Sequence, residues 1–231
     1  MGKKTGMLDQ AITFATTVHS GAVRKGNDRP YIIHPLEVMT IVATITDDQN
    51  VLSAAVLHDT IEDTGVTKEV IQALFGERVA DLVASETENK RKDQAAESTW
   101  KVRKEETLQL LRTVNDRDVK LICLGDKLAN LREISRDYAA LGDKVWERFH
   151  QKDKKEHCWY YSSVYEILRD EFGDIPATEN TETCWKKCSD GKMKTNETTI
   201  CRSKQNARKT LPRRRKFGYP PLLNNTAIKP A

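Results

Sequence analysis

The chain has 231 residues, enough to bury a hydrophobic core without disulfide or metal staples, and its five irregularly spaced cysteines argue against a secreted disulfide framework. The formal net charge of +4 conceals an uneven distribution, because residues 174–231 carry 13 Lys and Arg against 5 Asp and Glu while the rest of the chain is mildly acidic. No stretch is apolar enough for a membrane span or a signal peptide, so we expect a cytoplasmic protein.

The predicted elements are all helices. Apolar residues recur every three or four positions through most of the chain as far as residue 172, and the strict alternation of a half-buried strand is absent. Pro35 suits the first turn of a helix, and Thr67 is a favourable N-cap residue. The pattern predicts a compact all-α, multi-helix domain. Its helices are expected over residues 7–20, 34–45, 51–59, 67–85, 100–114, 117–135 and 155–172.

Residues 174–231 differ from this body. They show no apolar period, contain several prolines and cluster their basic residues, a composition typical of disorder. We therefore expect a domain of residues 1–173 followed by a disordered basic tail that can attract polyanions such as RNA. Three cysteines lie in this tail, but no histidine accompanies them to complete a zinc site.

Two ionisable residues lie on helix faces that otherwise suit the core. His58 follows Ala54 and Ala55 by four and three residues, so it projects from the small face of its helix. Asp126 lies four residues after Ile122 in an apolar stripe. Because a buried carboxylate is costly unless it is paired or bound to a cation, these residues predict a metal site more readily than an arginine pair.

Three motifs make this pattern specific: PYIIHP at 30–35, HDTIEDT at 58–64 and KLICLGDKLANLR at 120–132. In this order and spacing the chain resembles the HD-domain hydrolases that remove the 3′-pyrophosphate from the alarmones ppGpp and pppGpp. These are the hydrolase half of the Rel/Spo enzymes and the small alarmone hydrolases. The resemblance runs from about residue 8 to 172, and it implies an all-α enzyme that acts on a guanosine nucleotide.

The resemblance also implies one divalent ion, usually Mn²⁺, with four ligands: His34, His58, Asp59 and Asp126. Two imidazoles and two carboxylates without a thiolate suit Mn²⁺ or Fe²⁺. Glu62 and Asp63 match the family's acidic pair, which orients and deprotonates the attacking water. The alternative for this pair is simple negative charge at the start of the next helix.

Several residues resemble the family's nucleotide contacts. Arg24 matches an arginine that stacks on guanine through its planar guanidinium. Lys25 and Asn130 match positions that contact the base or the sugar, and the loop length leaves open which of Arg24 and Lys25 does the stacking. Four more basic residues match phosphate ligands more loosely and are otherwise expected on a solvated helix face: Lys90, Arg91, Lys101 and Arg103.

Two other functions stay open at this level. A different HD phosphohydrolase, acting on deoxynucleotides or NADPH, would keep the same metal ligands, although the acidic pair favours the alarmone type. A nucleotide- or RNA-binding protein that uses PRRRKFGY at 212–219 would leave those ligands without a purpose. His19 is expected in the core or behind the ligands, and Trp159 and Tyr160 are expected in the core.

Overall fold

The computed structural model describes residues 6–91, 93–173 and 177. Within these residues every regular element is a helix, which confirms the predicted all-α fold. None of these helices is both long and apolar enough to span a membrane. In chain order they are α1 Met7–Val18, α2 Ile33–Val42, α3 Gln49–Leu57, α4 Thr60–Asp63, α5 Lys68–Phe75, α6 Glu77–Glu86, α7 Ala96–Thr113, α8 Arg117–Leu141, a 3₁₀ helix Gly142–Arg148 and α9 Lys154–Phe172.

The short helix α3 is the centre of the fold. Asp48 begins it by accepting a hydrogen bond from the backbone N–H of Asn50 at 2.7 Å. Every residue from 51 to 57 is buried, and α3 packs against α1, α2, α6 and α8. Because the helix is enclosed in this way, its C-terminal end brings the two residues that follow it into the interior of the protein.

Helices α2 and α8 pack closely, and Gly125 makes this approach possible. A Cβ atom at Gly125 would lie 2.9 Å from Val42 Cγ2 and 3.2 Å from Val38 Cγ1, closer than side chains normally approach. Glycine therefore removes the atom that would hold the two helices apart. As a result, the first turn of α2 lies beside the middle of α8.

The helix predicted over residues 67–85 is in fact two helices. Gly76 ends α5 and begins α6 with a φ of 90°, a conformation that glycine adopts without the steric cost of a side chain. Thr67 occupies the N-cap position of α5, but its side chain makes no capping hydrogen bond. The apolar period continues across Gly76, which is why it predicted one helix.

The C-terminal boundary stays a prediction. The tail expected at 174–231 lies outside the described residues except for Ala177, which is buried against the core. The described residues all belong to one compact unit of the chain.

Tyr160 is a core residue and Trp159 packs against the core, as predicted.

Candidate metal centre and substrate cavity

His58 lies at the C-terminal end of α3, with 1% of its surface exposed. Its ring Nδ1 is 2.9 Å from the carbonyl oxygen of Ala55, so Nδ1 carries the proton and donates it to that oxygen. Nε2 makes no hydrogen bond to the described residues, although Asp59 Oδ2 is 3.0 Å away. A buried nitrogen whose direction is fixed by the hydrogen bond at Nδ1 fits the role of a metal ligand once it has lost its proton.

His34 and Asp126 meet because α2 packs closely on α8. His34 lies in the first turn of α2, and Asp126 directly follows Gly125 in α8. The distance from His34 Nε2 to Asp126 Oδ1 is 3.1 Å. The rings of His34 and His58 are 5.2 Å apart at an angle of 69°. Two buried imidazoles therefore face the same carboxylate.

The four predicted ligands converge on one point. One ligand atom from each of His34, His58 and Asp126 lies within 4.8 Å of the other two. Asp59 Oδ2 is 3.0 Å from His58 Nε2 and 3.6 Å from His34 Nε2. Nitrogen and carboxylate donors in this arrangement fit one divalent cation.

The electrostatics of this cluster also favour a cation. Burial alone would raise the pKa of Asp126, but the Lys127 ammonium, 2.5 Å from Asp126 Oδ2, and the histidines hold that pKa well below its usual range. Burial would lower the pKa of His58, but the Asp59 carboxylate outweighs it and raises the pKa to about 9. Burial would also raise the pKa of Asp59, but the His58 and His34 imidazoles lower it below its usual value. Two carboxylates thus stay ionised at a buried point, where a divalent cation in place of the His58 proton would stabilise both.

The acidic pair lies on the one-turn helix α4, directly after the ligands on α3. Glu62 Oε2 accepts a hydrogen bond of 2.9 Å from the backbone N–H of Glu88, and burial raises the pKa of Glu62 above its ordinary value. Asp63 Oδ1 lies 2.5 Å from the Lys90 ammonium, which is also 3.2 Å from Glu62 Oε1. A carboxylate with a raised pKa is better suited to take a proton near neutral pH.

The metal cluster and the acidic pair line a cavity of about 560 Å³. Its wall carries as many basic side chains as acidic ones. The basic ones belong to Arg24, Lys25, Lys90, Arg103, Lys104, Lys127 and Arg148. The acidic ones belong to Asp59, Glu62, Asp63, Glu86, Glu88, Asp126 and Glu133.

Arg24 is held in the cavity wall by hydrogen bonds in the plane of its guanidinium. Its Nε donates to Glu133 Oε2 at 3.0 Å, and its Nη2 donates to Asn130 Oδ1 at 2.8 Å. The guanidinium lies 5.4 Å from the ring centre of Tyr31. Asn130 Nδ2 in turn donates to Asp126 Oδ1 at 2.6 Å. Asn130 therefore joins Arg24 to the metal cluster, a contact that the sequence did not predict.

Two of the four predicted phosphate ligands do not reach the cavity. Lys90 and Arg103 line it, but Arg91 forms an ion pair with Glu106 outside it. Lys101 Nζ lies 2.7 Å from Glu156 Oε2 and 3.2 Å from the ring centre of Trp159. Arg91 and Lys101 lie in ion pairs outside the cavity wall, so the structure does not bring them to the predicted site. Lys104 and Arg148, which the sequence did not single out, line the cavity instead.

Tyr31 is the main site residue that sequence reasoning missed. It lies inside the PYIIHP motif, and its hydroxyl is 2.6 Å from Asp59 Oδ2 and 2.7 Å from Asp63 Oδ2. Burial and these carboxylates raise the pKa of Tyr31 well above its usual value, so the hydroxyl stays protonated. His19 is buried and stacks on the Tyr31 ring at 4.9 Å, which places His19 behind the ligands.

Glu86 was also missed. It lies at the end of α6 and lines the cavity, and burial raises its pKa to about 7. No sequence signal distinguishes it from the neighbouring acidic residues of the same segment, since only the packing of α6 shows which of them turns inward.

Comparisons with known proteins identify the family of this chain. The HD domain family matches residues 11–153. A guanosine-3′,5′-bis(diphosphate) 3′-pyrophosphohydrolase of Aquifex aeolicus (strain VF5) is 39% identical over 182 residues, which are 70% of this chain and 25% of that protein. The GTP pyrophosphokinase rsh of Brucella ovis is 36% identical over 129 residues, 55% of this chain and 17% of that protein. The chain thus spans a quarter or less of the length of these relatives.

A solved structure supports the fold. A metazoan orthologue of SpoT, described as hydrolysing ppGpp, superposes with a TM-score of 0.64 at 22% identity and covers 82% of this chain and 99% of that one. At that identity the similarity concerns the arrangement of helices. Since the family match spans more than half of the sequence, this chain belongs to the HD domain family.

Proposed function

We propose that this protein is a metal-dependent hydrolase that removes the 3′-pyrophosphate from ppGpp and pppGpp, giving GDP or GTP and pyrophosphate. The observation that carries the proposal is the meeting of a two-histidine, two-carboxylate cluster, an acidic pair and an arginine platform in one cavity. The names of the Aquifex relative and of the metazoan structure support the choice of substrate. The proposed catalytic domain is residues 1–173, with residues 174–231 as a basic appendage.

The proposed cofactor is one Mn²⁺ ion held by His34, His58, Asp59 and Asp126. A bound ion of this kind acidifies a coordinated water and withdraws charge from a phosphate oxygen. The fixed direction of His58 Nε2 and the lowered pKa of Asp126 support this assignment. The Asp126 carboxylate is already ionised, and a bound cation would displace the proton that the raised pKa keeps on His58.

Glu62 and Asp63 are proposed to orient the attacking water and to take its proton. The water oxygen bonds to the phosphorus next to the 3′ oxygen, the bond from that phosphorus to the 3′ oxygen breaks, and the 3′ oxygen ends with a proton. Glu62 suits the base role because burial raises its pKa and because the N–H of Glu88 fixes the direction of its carboxylate.

The remaining cavity residues are proposed to bind the nucleotide. Glu133 and Asn130 occupy the edge of the Arg24 guanidinium and leave its faces for stacking, one towards Tyr31 and one towards a base. Lys25 lies beside Arg24 in the wall. The phosphates would contact the basic side chains at the other positions of the wall, Lys90, Arg103 and Lys104.

The test is release of pyrophosphate or phosphate from a panel of nucleotides with added Mn²⁺. The panel contains ppGpp, pppGpp, deoxynucleoside triphosphates and NADPH, with Asp126→Ala as the inactive control. We expect rapid release of pyrophosphate from the two alarmones and none with the control. Efficient turnover of deoxynucleotides or NADPH, with slow turnover of ppGpp, would overturn the proposed substrate while leaving the metal site intact.

A further inference from the structure

Tyr31 places one hydroxyl between the carboxylate of a predicted metal ligand and that of a predicted catalytic residue. The oxygen lies 2.6 Å from Asp59 Oδ2 and 2.7 Å from Asp63 Oδ2. The ring is fixed by a stacking contact with His19 at 4.9 Å and an edge contact with His34 at 6.2 Å. The hydroxyl cannot turn away from the two carboxylates without disturbing these rings.

A tyrosine hydroxyl has a single proton, so it donates to only one of two carboxylates at a time. Asp63 has a second partner, because its Oδ1 lies 2.5 Å from the Lys90 ammonium. Asp59 uses, for the contact with Tyr31, the same oxygen that lies nearest to both histidine Nε2 atoms. The carboxylate to which the Tyr31 hydroxyl donates therefore links cation binding at Asp59 to the orientation of Asp63.

We propose that Tyr31 is a positioning residue that couples cation binding at Asp59 to the orientation of Asp63. The inference rests on the proposed function for its catalytic consequence. A carboxylate that shares its charge with a cation is a poorer hydrogen-bond acceptor, so filling the metal site moves the Tyr31 donation towards Asp63. Asp63 is then held by Tyr31 at Oδ2 and by Lys90 at Oδ1, which fixes it for the reaction.

The first experiment measures steady-state kinetics of Tyr31→Phe with ppGpp at saturating Mn²⁺. Phenylalanine keeps the ring contacts with His19 and His34 and removes only the hydroxyl. We expect kcat to fall roughly 10- to 100-fold, the effect of one hydrogen bond to a charged group, with KM nearly unchanged. Tyr138→Phe is the matched control, because its hydroxyl accepts a hydrogen bond from Lys154 at 3.3 Å outside the cavity.

The second experiment needs no substrate. Mn²⁺ affinity is measured by calorimetry for the wild type, Tyr31→Phe, Asp63→Ala and the double variant. Without Asp63, the Tyr31 hydroxyl donates only to Asp59 and competes with the cation, so Asp63→Ala should weaken Mn²⁺ binding. In the Tyr31→Phe background the same substitution should weaken it several-fold less. This result is independent of whether ppGpp is the substrate.

The outcomes separate the two proposals. If ppGpp is not hydrolysed but the calorimetric cycle shows coupling, the proposed substrate fails and the role of Tyr31 stands. If Tyr31→Phe retains wild-type kcat, or if Asp63→Ala changes Mn²⁺ affinity equally in both backgrounds, Tyr31 only packs against its neighbours and the inference is overturned. A higher KM with unchanged kcat would also overturn it, since Tyr31 would then contact the substrate. Circular dichroism of each variant checks that the helices are intact.

Discussion

Replacing Gly125 with alanine tests whether the approach of α2 to α8 sets the geometry of the metal cluster. The new Cβ would lie 2.9 Å from Val42 Cγ2, 3.2 Å from Val38 Cγ1 and 3.3 Å from the Val38 carbonyl oxygen. Overpacking of a core costs about 1–3 kcal/mol, whereas alanine gains about 1 kcal/mol over glycine within a helix. The expected net loss of stability is about 1 kcal/mol, which lowers Tm by about 2–4 °C in a domain of this size.

The larger effect should fall on the metal site. Because one of the three neighbouring atoms belongs to the backbone of α2, side-chain rotation alone does not relieve the contact, and the helices must separate by a few tenths of an ångström. His34 Nε2 and Asp126 Oδ1, now 3.1 Å apart, are carried by these two helices. We expect Mn²⁺ binding, measured by calorimetry, to weaken roughly tenfold, in line with other changes that disturb ligand orientation.

A second substitution, at Val42, tests whether the crowded Cβ causes this loss of affinity. Val42→Ala removes the methyl group that is nearest to the new Cβ, so the pair Gly125→Ala and Val42→Ala should recover most of the Mn²⁺ affinity. Gly65→Ala is the control, since no heavy atom lies within 4 Å of its added Cβ. If Gly125→Ala raises Tm and leaves Mn²⁺ affinity unchanged, helix propensity dominates and the close approach does not position the ligands.

Three further predictions concern individual side chains. His58→Ala or Asp126→Ala should abolish stoichiometric Mn²⁺ binding and hydrolysis together, and wild-type Mn²⁺ affinity in either variant, measured by calorimetry, would contradict the ligand assignment. Glu62→Gln should keep Mn²⁺ and bind ppGpp but lose about 10²–10⁴-fold in kcat, the size of a general-base effect; loss of the metal would show a different role. Burial lowers the pKa of His157, so the unfolded chain binds a proton that the folded chain does not, and stability should fall as pH drops below about 6.5. The urea midpoint of unfolding, measured above and below about pH 6.5, should fall less on acidification in His157→Phe than in the wild type.

Two of the candidate metal ligands stand out in the sequence because they break the pattern of their own helices. His58 and Asp126 are ionisable groups on faces that are otherwise apolar, and both faces are buried in the structure. His34 has no such signal, and only the resemblance to a family identified it. Its position depends on the close contact of α2 with α8, which a single segment does not encode.

The basic residues that face the cavity were harder to predict, for a geometric reason. Successive residues of a helix point about 100° apart, so Lys101 and Arg103 lie on nearly opposite faces of α7 and only one can face the cavity. The structure turns Arg103 and Lys104 inward and leaves Lys101 against Trp159. Charge and helical spacing together do not reveal which face of α7 is inward, because basic residues occur on both.

Two contacts between residues far apart in the chain were missed. Glu133 binds Arg24, which precedes it by 109 residues, and Tyr31 reaches Asp59 from 28 residues away. Each of these side chains is unremarkable in its own segment, since exposed glutamates and half-buried tyrosines are common on helices and loops. Their roles follow from packing, which brings the loop before α2 over the middle of α8.

The charge of the cavity leads to a last prediction. Seven Lys and Arg and seven Asp and Glu side chains line it, so apart from the histidines the wall carries no net charge when all of these are ionised. A divalent cation would leave two positive charges in a low-dielectric space, where they attract a polyphosphate strongly. Mn²⁺ should therefore tighten the binding of ppGpp to the Glu62→Gln variant by about tenfold or more in calorimetry, and ppGpp should tighten Mn²⁺ binding by the same factor, as linkage requires. Equal ppGpp affinity with and without Mn²⁺ would show that the basic residues of the wall, rather than the cation, hold the phosphates.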